Sequence, residues 1–206
     1  KNFIKSILRE ISKITPGYNN KIIICNIRMK LWDLIKLQLY LGQFPYFRAP
    51  KVSPRNFYFN EAMRKNLKAS KGANEFENLL EDLIIEQMPS TYIEGFRDLR
   101  NRAINEFPKK PKIILTGVSV LDDAFKIWMA HQTTKGTHLI ISQNGGGYGV
   151  CKFIVTEAHD RDICDQYFTW GWTKINEAKL VPMSSTILGR YIKQIKPDPK
   201  GDIILV

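Results

Sequence analysis

HLIISQNGGGYG, residues 138–149, is a short strand pattern that runs into a glycine cluster. The apolar run Leu139–Ile141 ends in Ser142, Gln143 and Asn144. Gly145, Gly146, Gly147, Tyr148 and Gly149 follow. An apolar run bounded by glycine predicts a buried strand. Glycine reaches positive φ at little cost and lets a ligand approach the backbone closely. A strand that empties into such a loop is where open α/β sheets bind ligands. The plainer alternative is a sharp turn without a ligand, since clustered glycine also marks ordinary turns.

The pattern around this stretch repeats. Lys112–Thr116 (KIILT) predicts a strand. Ser119 is placed to cap a helix, with Asp122 in its first turn, where a negative charge suits the helix dipole. Leu121, Phe125, Trp128 and Met129 form the buried face of that helix. Beyond the glycines, Lys152 to Cys164 predicts a second helix. Gln166–Thr169 predicts an aromatic strand that ends in Trp170-Gly171-Trp172. Strand and helix therefore alternate three times between Lys112 and Trp172, the signature of βαβ units and a parallel sheet. The fold class expected is α/β: a Rossmann-like parallel sheet with flanking helices.

Upstream, Phe3, Ile4, Ile7, Leu8, Ile11 and Ile14 make a helical stripe that Pro16-Gly17 ends. Lys21–Ile27 predicts a buried strand, and Lys30–Leu41 a helix closed by Gly42. Tyr46-Phe47 is a candidate for a further short strand. Residues 50–111 read as a helical insertion. Within it Asn74 caps a helix with Glu77 three residues on, and the stripe Phe76, Leu79, Leu80, Leu83, Ile84 and Met88 follows. Pro89 ends that helix, and Ser90 is placed to cap the next, which carries Ile93, Phe96, Leu99, Ala103 and Phe107. Residues 173–200 lack a period and read as a linker with some helix near Thr186–Ile195. Residues 201–206 read as the start of a second domain. The expected domains are thus 1–172, a linker over 173–200, and a truncated domain from 201.

The chain has 206 residues, a net charge of +11 and three cysteines. That length suits one large domain, or one with an appendage. No CxxC pair occurs, so the cysteines predict no zinc site and fit a reducing compartment. No apolar run spans a bilayer and no secretory signal opens the sequence. The expected location is the cytoplasm. The positive charge favours anionic partners: nucleotides, nucleic acid, or an inner-membrane surface touched peripherally through the lysine-rich N-terminal half. No recognised RNA or DNA motif accompanies it.

Three segments carry candidate chemistry. The glycine loop is the first, because backbone N–H groups opening a helix bind anions. Its spacing is neither GxGxxG nor a phosphate-binding Walker loop. The second is TEAHDRD, with Glu157 and His159. Two residues apart, they do not share one helix face, whereas Glu157 and Arg161 do. Either Glu157 or His159 is a candidate base for a hydroxyl; the plainer reading is a polar helix face with a Glu–Arg pair. The third is the Trp170-Gly171-Trp172 turn, where tryptophans can line a sugar or base pocket or serve in packing. Trp32 and Trp128 read as core residues, and His131 and His138 as structural. No metal ligand set is expected.

ILT, DDAFKIWMA, KGTHLIISQNGGGYG and TEAHDRDICDQYFTWGW, with MPSTYIEGF at Met88–Phe96, resemble a transferase family of bacterial surface-carbohydrate and O-antigen gene clusters. The resemblance is good over Met88–Trp172 and weak elsewhere. It implies a GT-B-like glycosyltransferase, in which two Rossmann-like domains face each other across a cleft. It implies a nucleotide-sugar donor as substrate, a glycan or lipid-linked acceptor and no obligatory cofactor; with no RNA or DNA motif in the sequence, no nucleic-acid partner is expected. On this reading Gln143, Asn144, Gly145, Gly146, Gly147, Tyr148, Gly149, Trp170, Gly171 and Trp172 bind substrate. Tyr148 and Trp172 stack on a ring. His159 is the base and Glu157 orients the ligand. Relatives carry histidine before the glycines (QHGG), where this chain has Asn144, which cannot act as a base near neutral pH. If that histidine is catalytic, the substitution implies a weakened site, and this piece is expected to be inactive alone. A sugar-nucleotide epimerase on a similar scaffold and a basic nucleic-acid-binding protein are the alternatives.

Overall fold

The computed structural model of the chain describes residues 20–46, 52–67, 73–120, 122–186 and 188–191. Five strands form one sheet: β1 (Ile22–Cys25), β2 (Ile113–Thr116), β3 (His138–Ser142), β4 (Gln166–Thr169) and β5 (Leu180–Pro182). Every neighbouring pair is parallel, and the order across the sheet is the order in the chain. Between β1 and β2 lie α1 (Leu31–Tyr40), α2 (Glu61–Lys65), α3 (Glu75–Gln87), a 3-10 turn (Ser90–Tyr92) and α4 (Phe96–Glu106). Then α5 (Asp123–Thr133) joins β2 to β3, and α6 (Val155–Ile163) joins β3 to β4.

The α/β class expected from the alternation is what forms. Parallel strands need crossovers, and right-handed crossovers that always step the same way return to the same face of the sheet. The core matches. Ile23, Ile114 and Leu139 lie in one row across the sheet, and Cys25, Thr116, Ile141, Tyr167 and Leu180 in another. The apolar members of both rows share a single cluster with Leu99, Ala103 and Phe107 from α4 and its end, and Phe125, Trp128 and Met129 from α5. The Phe107 and Trp128 rings stack with centroids 5.1 Å apart. Trp128 is wholly buried, and its Nε1 donates to the Pro108 carbonyl at 2.9 Å. A buried indole N–H needs such a partner.

Several local expectations change. Asp122, not Ser119, caps α5 by accepting from the Phe125 N–H at 2.7 Å. Ser119 bonds instead to Asp160. Ser90 opens the 3-10 turn, and α4 starts later behind Gly95. Asn74 does cap α3, accepting from the Glu77 N–H. Trp32 is exposed, not core, while Trp128 is core. Tyr46 is buried outside any strand. Leu180–Pro182 falls within the stretch expected to be a linker, yet it pairs with β4, so the sheet extends past residue 172. Three residues ending in proline leave too short a pattern to read as a strand. Residues 1–19, Phe47, Leu121 and residues 192–206 lie outside the described residues, and with them the N-terminal helix, the end of the helix near Thr186 and the proposed second-domain start.

The free edge of β1 is protected. Gln43 accepts from the Ile22 N–H at 3.3 Å and donates to the Ile22 carbonyl at 2.7 Å, so a side-chain amide stands in for a neighbouring strand.

A buried ion pair ties α2 of the insertion to the end of α3 and to the turn before α4. Arg64 of α2 grips Glu94 through Nε at 2.7 Å and Nη2 at 2.9 Å. Its Nη1 also donates to the Ile85 and Glu86 carbonyls at the end of α3. The two side chains are only 4% and 6% exposed. Arg64 and the Asn60 N–H hold the Glu94 carboxyl down at about 2, from 4.5. A depressed carboxylate contributes stability above its unfolded value and loses it as pH falls toward its folded one. Hydrogen exchange of residues 61–67 and 75–87 should therefore be constant from pH 7 to 5 once corrected for intrinsic rates. Protection should then fall between roughly pH 4.5 and 2. In Glu94→Gln that loss should be absent. An identical acid profile in the variant would remove Glu94 as the cause.

Candidate active site

With strand order equal to chain order, the described sheet has no switch point at which neighbouring crossovers diverge. The candidate site is therefore built from the loops at the C-terminal ends of the strands. Those loops are stitched together at Gln143. Its backbone N–H donates to the carbonyl of Phe168 in β4 at 2.8 Å, carrying the β3–β4 pairing one residue beyond β3. Its buried side chain then reaches both ways. Oε1 accepts from the Trp170 N–H and from Trp172 Nε1, each at 2.8 Å. Nε2 donates to the Gly145 carbonyl at 2.7 Å. One amide so holds the glycine loop against the Trp170-Gly171-Trp172 turn, two segments 27 residues apart. Both were read from sequence as site segments, and the structure brings them together.

Within the loop the glycines do different things. Gly149 alone has positive φ (+78°), and a Cβ there would lie 2.4 Å from Cε2 of Trp172. Gly147 is packed against Ile154 and Cys151, with an added Cβ 3.2 and 3.3 Å from their side chains. Gly146 is exposed and meets nothing. In the facing turn, Gly171 is exposed and has φ +92°. Asn144 is half-buried and is not part of the Gln143 network.

The rings are spent on the protein rather than left for a ligand. Trp172 packs on the core beside Tyr167, 6.4 Å between centroids, and against Gly149. Tyr148 also packs on the core, and its hydroxyl pairs with that of Thr156 at 3.0 Å. The stacking role expected for Tyr148 and Trp172 therefore gives way to packing. Period and composition could not separate these, because an aromatic beside glycine serves either use.

Glu157 and His159 separate, as their spacing requires. Glu157 is buried; it accepts from the Gly149 N–H at 2.9 Å and pairs with Arg161 at 3.4 Å. Arg161 in turn pairs with Glu177, and Lys179 donates to the Arg161 carbonyl. His159 is exposed. Its neighbour Asp160 turns inward to Ser119, and burial raises the Asp160 carboxyl above the usual range. Buried Cys25 and Cys164 are pushed up to about 12 and about 11 by desolvation, which makes both poor nucleophiles.

A cleft of about 300 Å³ opens beside the loop, lined by Gly149, Lys152, Phe153, Glu157, Arg161 and Lys174 among others. Of the residues singled out from sequence, Gly149 and Glu157 line it; Asn144 and His159 do not. Lys152, Phe153 and Lys174 are additions. The signal for the first two was a basic and an aromatic residue between a glycine loop and a helix start. The cleft abuts the N-terminus of α6, whose N-cap Ile154 supplies no side-chain bond to the first-turn N–H groups. Among the described residues neither lysine has a carboxylate partner. Phe153 is 83% exposed, with Lys152 Nζ 5.3 Å from its ring centre. The chemistry offered is anion binding, with an apolar ring alongside. Among the described residues, no three His, Cys, Asp or Glu side chains converge as metal ligands.

A family model described as LIC12162 family transferase matches residues 1–206, the whole chain. This chain belongs to the LIC12162 family of transferases. No curated protein and no solved structure matches it. A LIC12162 family transferase moves a group from a donor to an acceptor. Among the described residues, no helix is long and apolar enough to cross a membrane.

Proposed function

We propose that the chain is the Rossmann-like part of a glycosyltransferase that moves a sugar from a nucleotide-sugar donor to a surface-polysaccharide acceptor. The observation that carries this reading is the cleft, where two lysines without carboxylate partners flank an uncapped helix N-terminus. That combination suits a diphosphate, the charged part of a sugar nucleotide. Phe153 is the exposed ring in reach of a base or sugar face. Membership of a transferase family supports a donor site and disfavours the epimerase.

In this reading the donor diphosphate lies against Lys152, Lys174 and the first N–H groups of α6. The bond between the sugar's anomeric carbon and the diphosphate oxygen breaks, and the nucleoside diphosphate leaves with the electron pair. The acceptor hydroxyl oxygen forms the new bond. Its proton goes to a base on the facing half of the cleft, since His159 of α6 does not line this half. Glu157 is committed to Gly149 and Arg161, so it positions the loop rather than taking the proton. The acceptor is a glycan or a lipid-linked sugar, no cofactor takes part, and the reaction belongs to the cytoplasm. In a GT-B arrangement a second domain would close over these strand ends.

The test is a panel of nucleotide sugars offered to the full-length protein. At least one should bind and be turned over. Lys152→Glu with Lys174→Glu should weaken donor binding by about tenfold or more, equivalent to about 1.4 kcal/mol. His159→Ala should leave donor binding intact, since His159 does not line the cleft. Salt-dependent binding of RNA or duplex DNA, with no sugar nucleotide bound, would sink the proposal in favour of a nucleic-acid partner.

A further inference from the structure

α3 buries none of its residues, yet it has a strong apolar side. Phe76, Leu79, Leu80, Leu83, Ile84 and, at the C-cap, Met88 fall at helical spacing. They remain between 37% (Met88) and 71% (Phe76) exposed. The helix is nonetheless fixed in place, because Arg64 holds the carbonyls at its C-terminal end. An ordered helix showing water a stripe of this length is a docking face, since helix-in-groove recognition uses this spacing. Its polar side has one sign. Glu75, Glu77, Glu81, Asp82 and Glu86 are there, with no lysine or arginine.

That sign selects the occupant. A second copy's α3 would oppose acid to acid, and an anionic membrane would repel the same side chains. The chain itself contains the complement. Phe3, Ile4, Ile7, Leu8, Ile11 and Ile14, outside the described residues, repeat the apolar spacing in sequence. Lys1, Lys5, Arg9 and Lys13 recur every fourth residue beside them, against the single acid Glu10. The lengths agree too: α3 has 13 residues, about 20 Å of helix. We infer that the apolar stripe of α3 is the docking face for this chain's own basic amphipathic segment, Lys1–Ile14. The acidic flanks of one meet the basic flank of the other.

Hydrogen exchange on the full-length protein tests this in both directions. Ile7→Asp with Ile11→Asp should speed exchange in residues 75–87 by about tenfold or more while β3 is unchanged. Leu80→Asp with Ile84→Asp should likewise deprotect residues 1–14. Both α3 positions are exposed in the structure, so the sheet should tolerate them; if this variant fails to fold, the N-terminal variant decides alone. Glu77→Lys with Glu81→Lys should weaken the docking, and adding Lys5→Glu with Arg9→Glu should restore it. Unchanged exchange in α3 when the segment is disrupted overturns the inference. So does protection that appears only with dimer formation, which assigns the face to a second copy. Protection of residues 1–14 only in the presence of phosphatidylglycerol vesicles overturns it in favour of a membrane.

Discussion

Gly149→Ala is expected to destabilise the fold by about 2–5 kcal/mol and to abolish most of the transferase activity. Two costs combine. A non-glycine residue at φ +78° is strained by about 1–3 kcal/mol. The new methyl must also enter the space of the Trp172 ring, whose Cε2, Cδ2 and Nε1 lie 2.4, 2.8 and 2.8 Å from it. Forcing an atom into a packed site costs about 1–3 kcal/mol more. The ring has no easy retreat, because its Nε1 is bonded to Gln143 and its other side packs toward Tyr167. Activity should fall with stability, since the Gly149 N–H is what Glu157 holds at the wall of the cleft. Gly146→Ala is the internal control. Gly146 has no positive φ and an added Cβ meets nothing, so that change should be neutral or slightly stabilising, by up to about 1 kcal/mol. Urea unfolding and initial rates on both variants measure the contrast. Equal effects at the two positions would mean that the loop is merely flexible and its glycines interchangeable.

That contrast also marks what the sequence could and could not reveal. The glycine cluster after Ile141 was visible, and so were the strands on either side, because buried parallel strands are apolar runs with glycine or polar stops. The helices α5 and α6 were legible from period. Their ends were less so, since Ser119 and Asp122 are both good caps and only tertiary structure assigns Ser119 to Asp160. Which glycine needs to be glycine was invisible, because the requirement at 149 comes from the positive φ that the folded loop imposes and from Trp172, 23 residues away. The same limit applies to Tyr148 and Trp172, whose rings turned out to be packing surfaces. It applies again to α3: the stripe was clear, but a periodic pattern reports an apolar face and not what covers it. Lys152 and Lys174 carry no periodic signal at all. They matter only because folding places both at the mouth of one cleft.

Gln143→Leu should be nearly as damaging, and its signature differs. Leucine approximates the shape of glutamine but has no polar atoms. The Trp170 N–H and Trp172 Nε1 would lose their shared acceptor, and the Gly145 carbonyl its donor. Each polar group left unpaired away from water costs about 1–3 kcal/mol, less where solvent can reach it. Trp170 and Trp172 are half-buried, so the sum should be about 2–4 kcal/mol rather than the full total. Gln143→Glu separates shape from hydrogen bonding. Its carboxylate would still accept from both tryptophans but would face the Gly145 carbonyl with no proton to donate. It should therefore keep the Trp170-Gly171-Trp172 turn and release the glycine loop. Tryptophan fluorescence reports the turn, and the reactivity of Cys151, exposed on the cleft wall, reports the loop. In Gln143→Leu both signals should change. In Gln143→Glu the thiol should react faster while the fluorescence stays near that of the wild type. If both variants keep wild-type fluorescence and thiol reactivity, the two segments hold their places without this amide, and the site does not depend on it.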